Sequence, residues 1–353
     1  MQRLVYQSWK ITLLGIAAFA LPVFGIDAML QAQPASVGPA SDSPAATASA
    51  SAANAPQLRP LAPGVLTVIP AQREREETFA GPVPLVEVLQ GIPNLEWTSN
   101  FYAKSDTLQE KAKRVVFRRP VWNLEFAFKP VRMLEVDVPQ PSGKMQRKLI
   151  WYMVYRVKNT GQDLGTRPVN PDEPKGAHEA QLVDFPTLRF LPHFVLVSQD
   201  YGKEYLDRVI PAAQRAIQQR ENPGVPLLNS VEISRAPVPL SDNRTDRSVW
   251  GVVTWEDVDP RIDFFSIYVR GLSSAYIFVD TPGAYRPGDP PGTGRVFRYK
   301  TLQLNFWRPG DTEDENEREI RFGIPVDTNS EVQQQLLARF GLKERLDYLW
   351  TYR

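Results

Sequence analysis

The chain has 353 residues, with 41 lysine and arginine residues against 40 aspartate and glutamate residues, and it contains no cysteine. Because the charges nearly balance, nothing draws the whole chain to nucleic acid or to an anionic membrane, and we expect no nucleic-acid partner. The lack of cysteine excludes disulfides, thiol catalysis and cysteine-bound metals. Stability must therefore come from burial and backbone pairing.

The N-terminus has the pattern of an export signal: a basic start, then an apolar run over residues 11–26. A helix of that length spans about 24 Å, less than the ~30 Å apolar core of a membrane. The alternative is a retained anchor over residues 11–30, because the run continues weakly past Asp27. We predict a signal peptide over residues 1–32, or an N-terminal anchor in its place.

Residues 33–63 consist almost wholly of alanine, serine and proline. Such a segment buries too little surface to offset the entropy lost on ordering, so we predict a disordered linker. An exported chain without cysteine suits a bacterial envelope, which predicts a periplasmic or extracellular location. Membrane contact is expected only through an uncleaved N-terminal segment.

Alternating apolar residues predict that the rest of the chain is mainly β. Over residues 121–138 apolar side chains recur at about every second position, with a break at Pro130. Residues 148–158 follow a turn and are predicted to pair with this segment as a hairpin. A long loop over 162–179 and a strand over 188–198 are predicted next.

Two helices are predicted among the strands. Residues 203–220 have apolar side chains at helical spacing, and the helix is expected to begin or kink at Pro211. The second helix starts at Ser330, which together with Gln333 fits a capping box, and it ends before Gly341.

The second half of the body returns to strands, predicted over 228–234, 248–255, 262–270, 275–280, 296–307 and 319–324. Residues 248–271, SVWGVVTWEDVDPRIDFFSIYVRG, resemble the second and third strands of fibronectin-III and immunoglobulin-like sandwiches. In those folds a tryptophan-bearing strand, an Asp/Pro turn and an aromatic-rich strand follow one another. The resemblance implies a β-sandwich fold and implies no activity.

The predicted fold class is mainly β, built of immunoglobulin or fibronectin-III-like β-sandwich modules with one inserted helix and a C-terminal helix. The first β-rich module is expected over residues 64–224 and includes the helix near 203–220. The second module is expected over 225–326, and a C-terminal helical segment over 327–353.

Residues able to act as catalysts are few. The imidazoles belong to His178, in a predicted loop, and His193, in an apolar strand. No Gly-x-Ser-x-Gly sequence marks a serine nucleophile. We therefore predict no catalytic residue and no cofactor.

One acidic cluster lies at the turn between two predicted strands. Its carboxylates could hold Ca²⁺, which binds six to eight oxygens, although a solvated turn explains the same residues. The candidate calcium ligands are Glu256, Asp257, Asp259 and Asp263.

One basic cluster lies before the first predicted hairpin. Its side chains could line a groove for a polyanion, or they could protect the edge of a sheet. The candidate residues are Lys111, Lys113, Arg114, Arg118 and Arg119.

Two classes of function fit these patterns. The favoured one is an exported, non-catalytic envelope protein whose β modules bind a partner protein or a cell-wall polymer. The alternative is an exported glycan hydrolase that uses carboxylates near residues 256–263, for which two acids would have to face each other across a cleft.

Overall fold

Antiparallel β-sheets account for most of the structure, as the alternating apolar pattern predicts. The predicted signal peptide or anchor over 1–32 and the predicted linker over 33–63 lie outside the described residues. No helix of the described part is both long and apolar enough to cross a membrane. The computed structural model describes residues 66–90, 106–172, 176–242, 244–309 and 320–353.

The strands are Thr67–Ile69 (β1), Phe79–Val83 (β2), Val115–Arg118 (β3), Glu125–Phe128 (β4), Arg132–Pro139 (β5), Met145–Lys158 (β6), Asp163–Pro168 (β7), His178–Val183 (β8), Thr187–Arg189 (β9), His193–Ser198 (β10), Glu204–Leu206 (β11), Pro237–Pro239 (β12), Val249–Trp255 (β13), Phe264–Arg270 (β14), Tyr276–Asp280 (β15), Arg295–Trp307 (β16), Arg321–Phe322 (β17) and Tyr348–Tyr352 (β18). The helices are Val86–Leu89 (α1), Asp106–Lys113 (α2), Pro211–Glu221 (α3), Ser230–Arg235 (α4) and Ser330–Arg339 (α5), with a 3₁₀ turn at Arg75–Thr78.

Two large sheets contain most of the strands. The first sheet has the order β1, β4, β6, β13, and β5 also pairs with β6. The second sheet has the order β11, β10, β14, β16, β15, and β17 and β18 also pair with β16. Antiparallel ribbons formed by β2 with β3, β7 with β8, and β9 with β12 are described besides these sheets.

The apolar run inside β6 is long because both faces of this strand are buried. Trp151 and Tyr155 point to the core shared with the second sheet. Tyr152 and Val154, on the opposite face, pack beneath α3. A strand that is covered on both sides loses the simple alternation of apolar and polar residues, which explains why this segment reads as a continuous apolar run.

Aromatic rings fill the space between the two large sheets. The edge of Trp151 meets Phe265 with ring centres 5.5 Å apart, and Phe128 meets Phe306 at 5.9 Å. Such edge-to-face pairs stabilise a core beyond the area that they bury. Trp151, Tyr155, Trp255 and Phe306 are fully buried, and Tyr268 and Phe322 are partly buried.

Strands from both sides of residue 224 pair in each large sheet. In the first sheet β6 pairs with β13, and in the second β10 pairs with β14. The modules predicted for 64–224 and 225–326 therefore share two sheets and one aromatic core.

The helix predicted over 203–220 begins at Pro211, one of the two outcomes expected there, because proline fits the first helical position, and β11 precedes it. Two other local predictions are corrected by the structure. The predicted loop over 162–179 contains β7 and the first residues of β8. The predicted strand over 228–234 is largely α4, since the Asn229 side chain and Glu232 cap the helix reciprocally.

The C-terminal helix α5 is present, but its N-cap is Asn329 rather than Ser330. The Asn329 side chain accepts a hydrogen bond from the Glu331 N–H at 2.9 Å. Gly341 ends the helix as predicted, with φ of 69°, a conformation that favours glycine. The Leu342 N–H donates back to the Leu337 carbonyl at 3.0 Å, which completes a Schellman motif.

Candidate functional site

The acidic turn predicted as a calcium site lies between β13 and β14, and its first two carboxylates are bound to basic side chains. Glu256, almost fully buried, contacts the Lys148 ammonium and lies 3.0 Å from the Arg208 guanidinium. Asp257 lies 3.2 Å from the same lysine nitrogen. The hydrogen bond to Glu256 raises the pKa of Lys148, so the Lys148 ammonium stays charged at neutral pH.

The other two acids of the turn are held separately. Asp259 accepts two hydrogen bonds from Arg261, at 3.0 and 2.8 Å, and these bonds lower the pKa of Asp259 to about 2. Asp263 lies 3.9 Å from Arg308, and burial raises its pKa. An aspartate that is ionised throughout the neutral range cannot donate a proton as a general acid. Within the described stretches no three histidine, aspartate or glutamate side chains gather as a metal site.

The two histidines lie at the starts of different strands. His178 begins β8, where its ring contacts the Arg118 guanidinium and its Nδ1 lies 2.9 Å from the Gly176 carbonyl oxygen. His193 begins β10 and is exposed. The orienting carboxylate of a catalytic triad is not among the partners recorded for His178.

The five basic residues predicted as a polyanion surface divide into two groups. Four are exposed on α2, on β3 and in the link between them, while Arg119 turns inward and is only partly exposed. The Arg119 Nε donates to the Glu77 carbonyl at 2.9 Å, and its guanidinium stacks 3.7 Å from the centre of the Tyr276 ring. The exposed residues are Lys111, Lys113, Arg114 and Arg118.

Arg119 lies in a cleft between the second sheet and the β2–β3 ribbon, which we call the β15 cleft. Its volume is about 330 Å³, near the lower end of ligand sites. The 3₁₀ turn and β2 form one wall, and β15 forms the other. The residues lining it are Glu74, Glu76, Glu77, Phe79, Ala80, Gly81, Val83, Arg119, Tyr276, Ile277, Phe278 and Tyr352.

A buried carboxylate lies at the floor of the β15 cleft. Glu77 is 5% exposed, and its Oε1 accepts hydrogen bonds from the Tyr352 hydroxyl at 2.7 Å and from the Lys300 ammonium. Burial, and then the hydrogen bond to Glu77, raises the pKa of Tyr352, which stays protonated and donates. The second carboxylate oxygen, Oε2, has no hydrogen-bond partner among the described residues.

The Arg119 guanidinium, in the same cleft, also has a hydrogen-bonding atom without a partner among the described residues. Its Nε and Nη2 donate to backbone carbonyls of Glu77 and Tyr276, whereas the buried Nη1 has no partner among the described residues. Buried polar atoms are nearly always hydrogen-bonded, so each exception needs an explanation. A ligand that bonds to both atoms must accept a hydrogen bond from Arg119 Nη1 and donate one to Glu77 Oε2.

Sequence reasoning did not single out Glu77 or Tyr276. One signal was present: Lys300 lies within the predicted strand 296–307, where a buried lysine requires a carboxylate partner. Its partner, Glu77, lies 223 residues earlier in the chain. Nothing in the local pattern identifies a partner at that separation.

A second cleft, of about 270 Å³, crosses the surface of the second sheet. Its charged side chains already have partners: the Arg353 guanidinium contacts Glu204, and the Arg270 guanidinium lies 5.4 Å from the centre of the Tyr299 ring. The β15 cleft has two buried polar atoms without hydrogen-bond partners among the described residues. It is therefore the stronger candidate for a ligand site.

Comparison with protein-family models, with curated proteins and with solved structures found no match for this chain.

Proposed function

We propose that this chain is an exported, non-catalytic binding protein of the bacterial cell envelope, which takes its ligand in the β15 cleft. The partner is an envelope protein or a cell-wall polymer. The observation that carries the proposal is the cleft itself, where apolar walls surround two buried polar atoms that have no hydrogen-bond partner among the described residues.

The composition of the cleft supports binding. Phe79, Tyr276 and Phe278 provide apolar surface, and Glu77 with Arg119 provides an acceptor and a donor. Ligand sites commonly combine apolar walls with a few polar groups that fix orientation. The hydrolase alternative has weaker support, because Glu256 and Asp259 are bound to basic side chains and Asp259 lacks the pKa of a general acid.

We further propose that the two large sheets form an immunoglobulin or fibronectin-III-like sandwich. The support is topological: β13 and β14 follow one another along the chain, yet each belongs to a different sheet. The second and third strands of immunoglobulin-type sandwiches divide between sheets in the same way. A scaffold of this kind suits display of a binding site.

Export is tested at the N-terminus. Because an apolar run precedes Ala32, we expect the exported chain to begin near Gln33. N-terminal sequencing of the chain from the periplasm and the medium measures this. Recovery of an intact Met1 in the membrane fraction would instead identify an anchor.

Binding is tested with two matched variants. Ile277 and Val326 are exposed apolar residues, 40% and 72% exposed, but Ile277 lines the cleft and Val326 does not. Ile277→Lys should abolish retention of an envelope component by the immobilised full chain, because it places a positive charge in an apolar wall, and Val326→Lys should preserve it. The components are solubilised envelope proteins and purified cell-wall polymer from the producing cells.

A glycan-hydrolysis screen decides the enzyme alternative. We expect no hydrolysis by the wild type. Hydrolysis that disappears when His178, Glu256 and Asp259 are replaced together by Ala, Gln and Asn, with the circular dichroism spectrum unchanged, would overturn the proposal. Equal retention by Ile277→Lys and the wild type would also count against the β15 cleft as the site.

A further inference from the structure

Strand β15 has one free edge. It pairs with β16 in the register Tyr276 to Tyr299 and Phe278 to Phe297. Just outside the strand, the Lys300 N–H donates to the Ala275 carbonyl and the Thr281 N–H donates to Gly294.

In an antiparallel pair, hydrogen-bonded and non-hydrogen-bonded positions alternate. Ala275 and Thr281 are bonded to the β16 chain, so Ile277 and Val279 are bonded too. The backbone N–H and C=O groups of Tyr276, Phe278 and Asp280 consequently face away from β16.

The first part of this edge is already occupied by the chain itself. The Leu124 N–H donates to the Leu272 carbonyl at 2.7 Å, and the Ser274 N–H donates to the Trp122 carbonyl at 3.1 Å. The Arg119 guanidinium donates a hydrogen bond to the next outward carbonyl, that of Tyr276. Beyond this point no backbone hydrogen bond joins β15 to another described strand except β16, so the outward backbone groups of Phe278 and Asp280 have no partner among the described residues.

The β15 cleft opens beside this free edge. Its opposite wall contains Ala80 and Gly81, and no side chain larger than a methyl group projects there from these two residues. An exposed strand edge with unpaired backbone groups is a template for another extended chain. The cleft therefore offers backbone pairing on one side and apolar contact on the other.

The charge of the cleft rim determines which extended chains it favours. The exposed rim residues Glu74 and Glu76 have no recorded ion-pair partner among the described residues, and the negative charge of Glu74 contributes to the raised pKa of Tyr352 in the cleft. Arg119 is the cleft's one cationic lining residue. The rim thus favours a ligand with positive charge.

We propose that the ligand of the β15 cleft is an extended basic peptide segment, which adds as a strand to β15 at Phe278 and Asp280. Its apolar side chains contact Phe79 and Phe278, and its lysine or arginine side chains lie near Glu74 and Glu76. This inference rests on the proposed binding function and specifies its ligand class.

The test uses the full chain and a fluorescein-labelled seven-residue peptide of alternating lysine and valine. We expect saturable binding and slower hydrogen exchange at the Phe278 and Asp280 amides, by about tenfold for each new hydrogen bond. The Ile277 amide, already bonded to β16, should not change. A glutamate–valine peptide of equal length should bind at least about fivefold more weakly, a difference of about 1 kcal/mol.

Charge is tested with a matched pair of variants. Glu76 and Glu344 are both exposed glutamates without a recorded partner, but Glu344 lies outside the cleft. Glu76→Lys should weaken binding of the lysine–valine peptide about fivefold, and Glu344→Lys should leave it unchanged. Equal effects of the two substitutions would overturn the role of the acidic rim.

A peptide of the same sequence, methylated on every amide nitrogen, separates strand addition from side-chain binding. It should not bind, because its backbone can no longer donate. Equal binding by the methylated peptide, unchanged exchange at Phe278 and Asp280, or no binding by either peptide would overturn the inference. The proposed function is judged independently, by the retention of envelope components on Ile277→Lys and Val326→Lys.

Discussion

Within the described residues, two clusters of buried charges tie distant parts of the chain together. In one, Glu77 binds Lys300 beneath the β15 cleft. In the other, the α3 residue Glu221 accepts hydrogen bonds from Arg132 at 2.8 Å and from the Tyr152 hydroxyl at 2.7 Å, and lies 3.3 Å from Lys129. A buried charge is tolerated only when it is paired and hydrogen-bonded, so each cluster fixes the position of its elements.

Replacement of Glu221 should expose this dependence. Glu221→Gln preserves the shape of the side chain but removes the negative charge that the buried Lys129 and Arg132 contact, and we expect the free energy of unfolding to fall by about 3–5 kcal/mol. Urea unfolding measures the change. The exposed control Glu344→Gln should stay within about 0.5 kcal/mol of the wild type. A loss no larger than that of the control would show that the cluster does not hold α3.

The buried Asp163 carboxyl should make the free energy of unfolding depend on pH. Burial raises its pKa, although its Oδ1 accepts a hydrogen bond from the Asn123 N–H at 2.8 Å, and Oδ2 has no partner among the described residues. The folded state therefore takes up the proton before the unfolded state does. As pH falls from neutral towards the unfolded pKa near 3.9, this group adds to the free energy of unfolding.

Asp163→Asn removes the buried charge and should raise the free energy of unfolding at pH 7 by about 1 kcal/mol. The gain should shrink as pH approaches 4, because the wild-type carboxyl is then protonated in the folded state. Urea unfolding at several pH values tests both effects. The exposed control Asp172→Asn should not reproduce the gain, and a gain for Asp163→Asn that is constant with pH would refute the assignment.

Among the elements, those with strong apolar alternation were predictable. The β5–β6 hairpin and the strands β13, β14 and β16 match the sequence pattern closely. The β7–β8 ribbon was missed because its polar surface resembles a loop. Helix α4 was missed because Val231 and Ile233 alternate as in a strand, whereas the Asn229 cap decides the local conformation.

The cap of α4 can be tested directly. The Asn229 Oδ1 accepts hydrogen bonds from the Val231 and Glu232 N–H groups, both at 3.0 Å. Asn229→Ala should lower the free energy of unfolding by about 1 kcal/mol, and Asn229→Asp should retain most of the cap. Thermal unfolding followed by circular dichroism gives both values. Equal losses for the two variants would mean that side-chain contacts other than the cap are responsible.

At the scale of the whole molecule, the sequence predicts strands better than it predicts their partners. The β6–β13 and β10–β14 pairs join segments far apart along the chain, and alternation shows which residues are buried without showing what covers them. The β15 cleft follows from the same long-range arrangement. Its walls come from the 3₁₀ turn and β2 near one end of the chain and from β15 and β18 towards the other.

Shared sheets predict that the body unfolds as one unit. Phe194 in β10 and Trp255 in β13 are fully buried in the same aromatic core but lie on opposite sides of residue 224. Phe194→Ala and Trp255→Ala should each lower the free energy of unfolding by about 3–5 kcal/mol. Because neither side of the chain keeps its sheets without the other, both variants should shift a single transition, seen at the same urea concentration by tryptophan fluorescence and by circular dichroism. Two transitions, with each substitution moving only one of them, would show instead that residues 64–224 and 225–326 fold as independent modules.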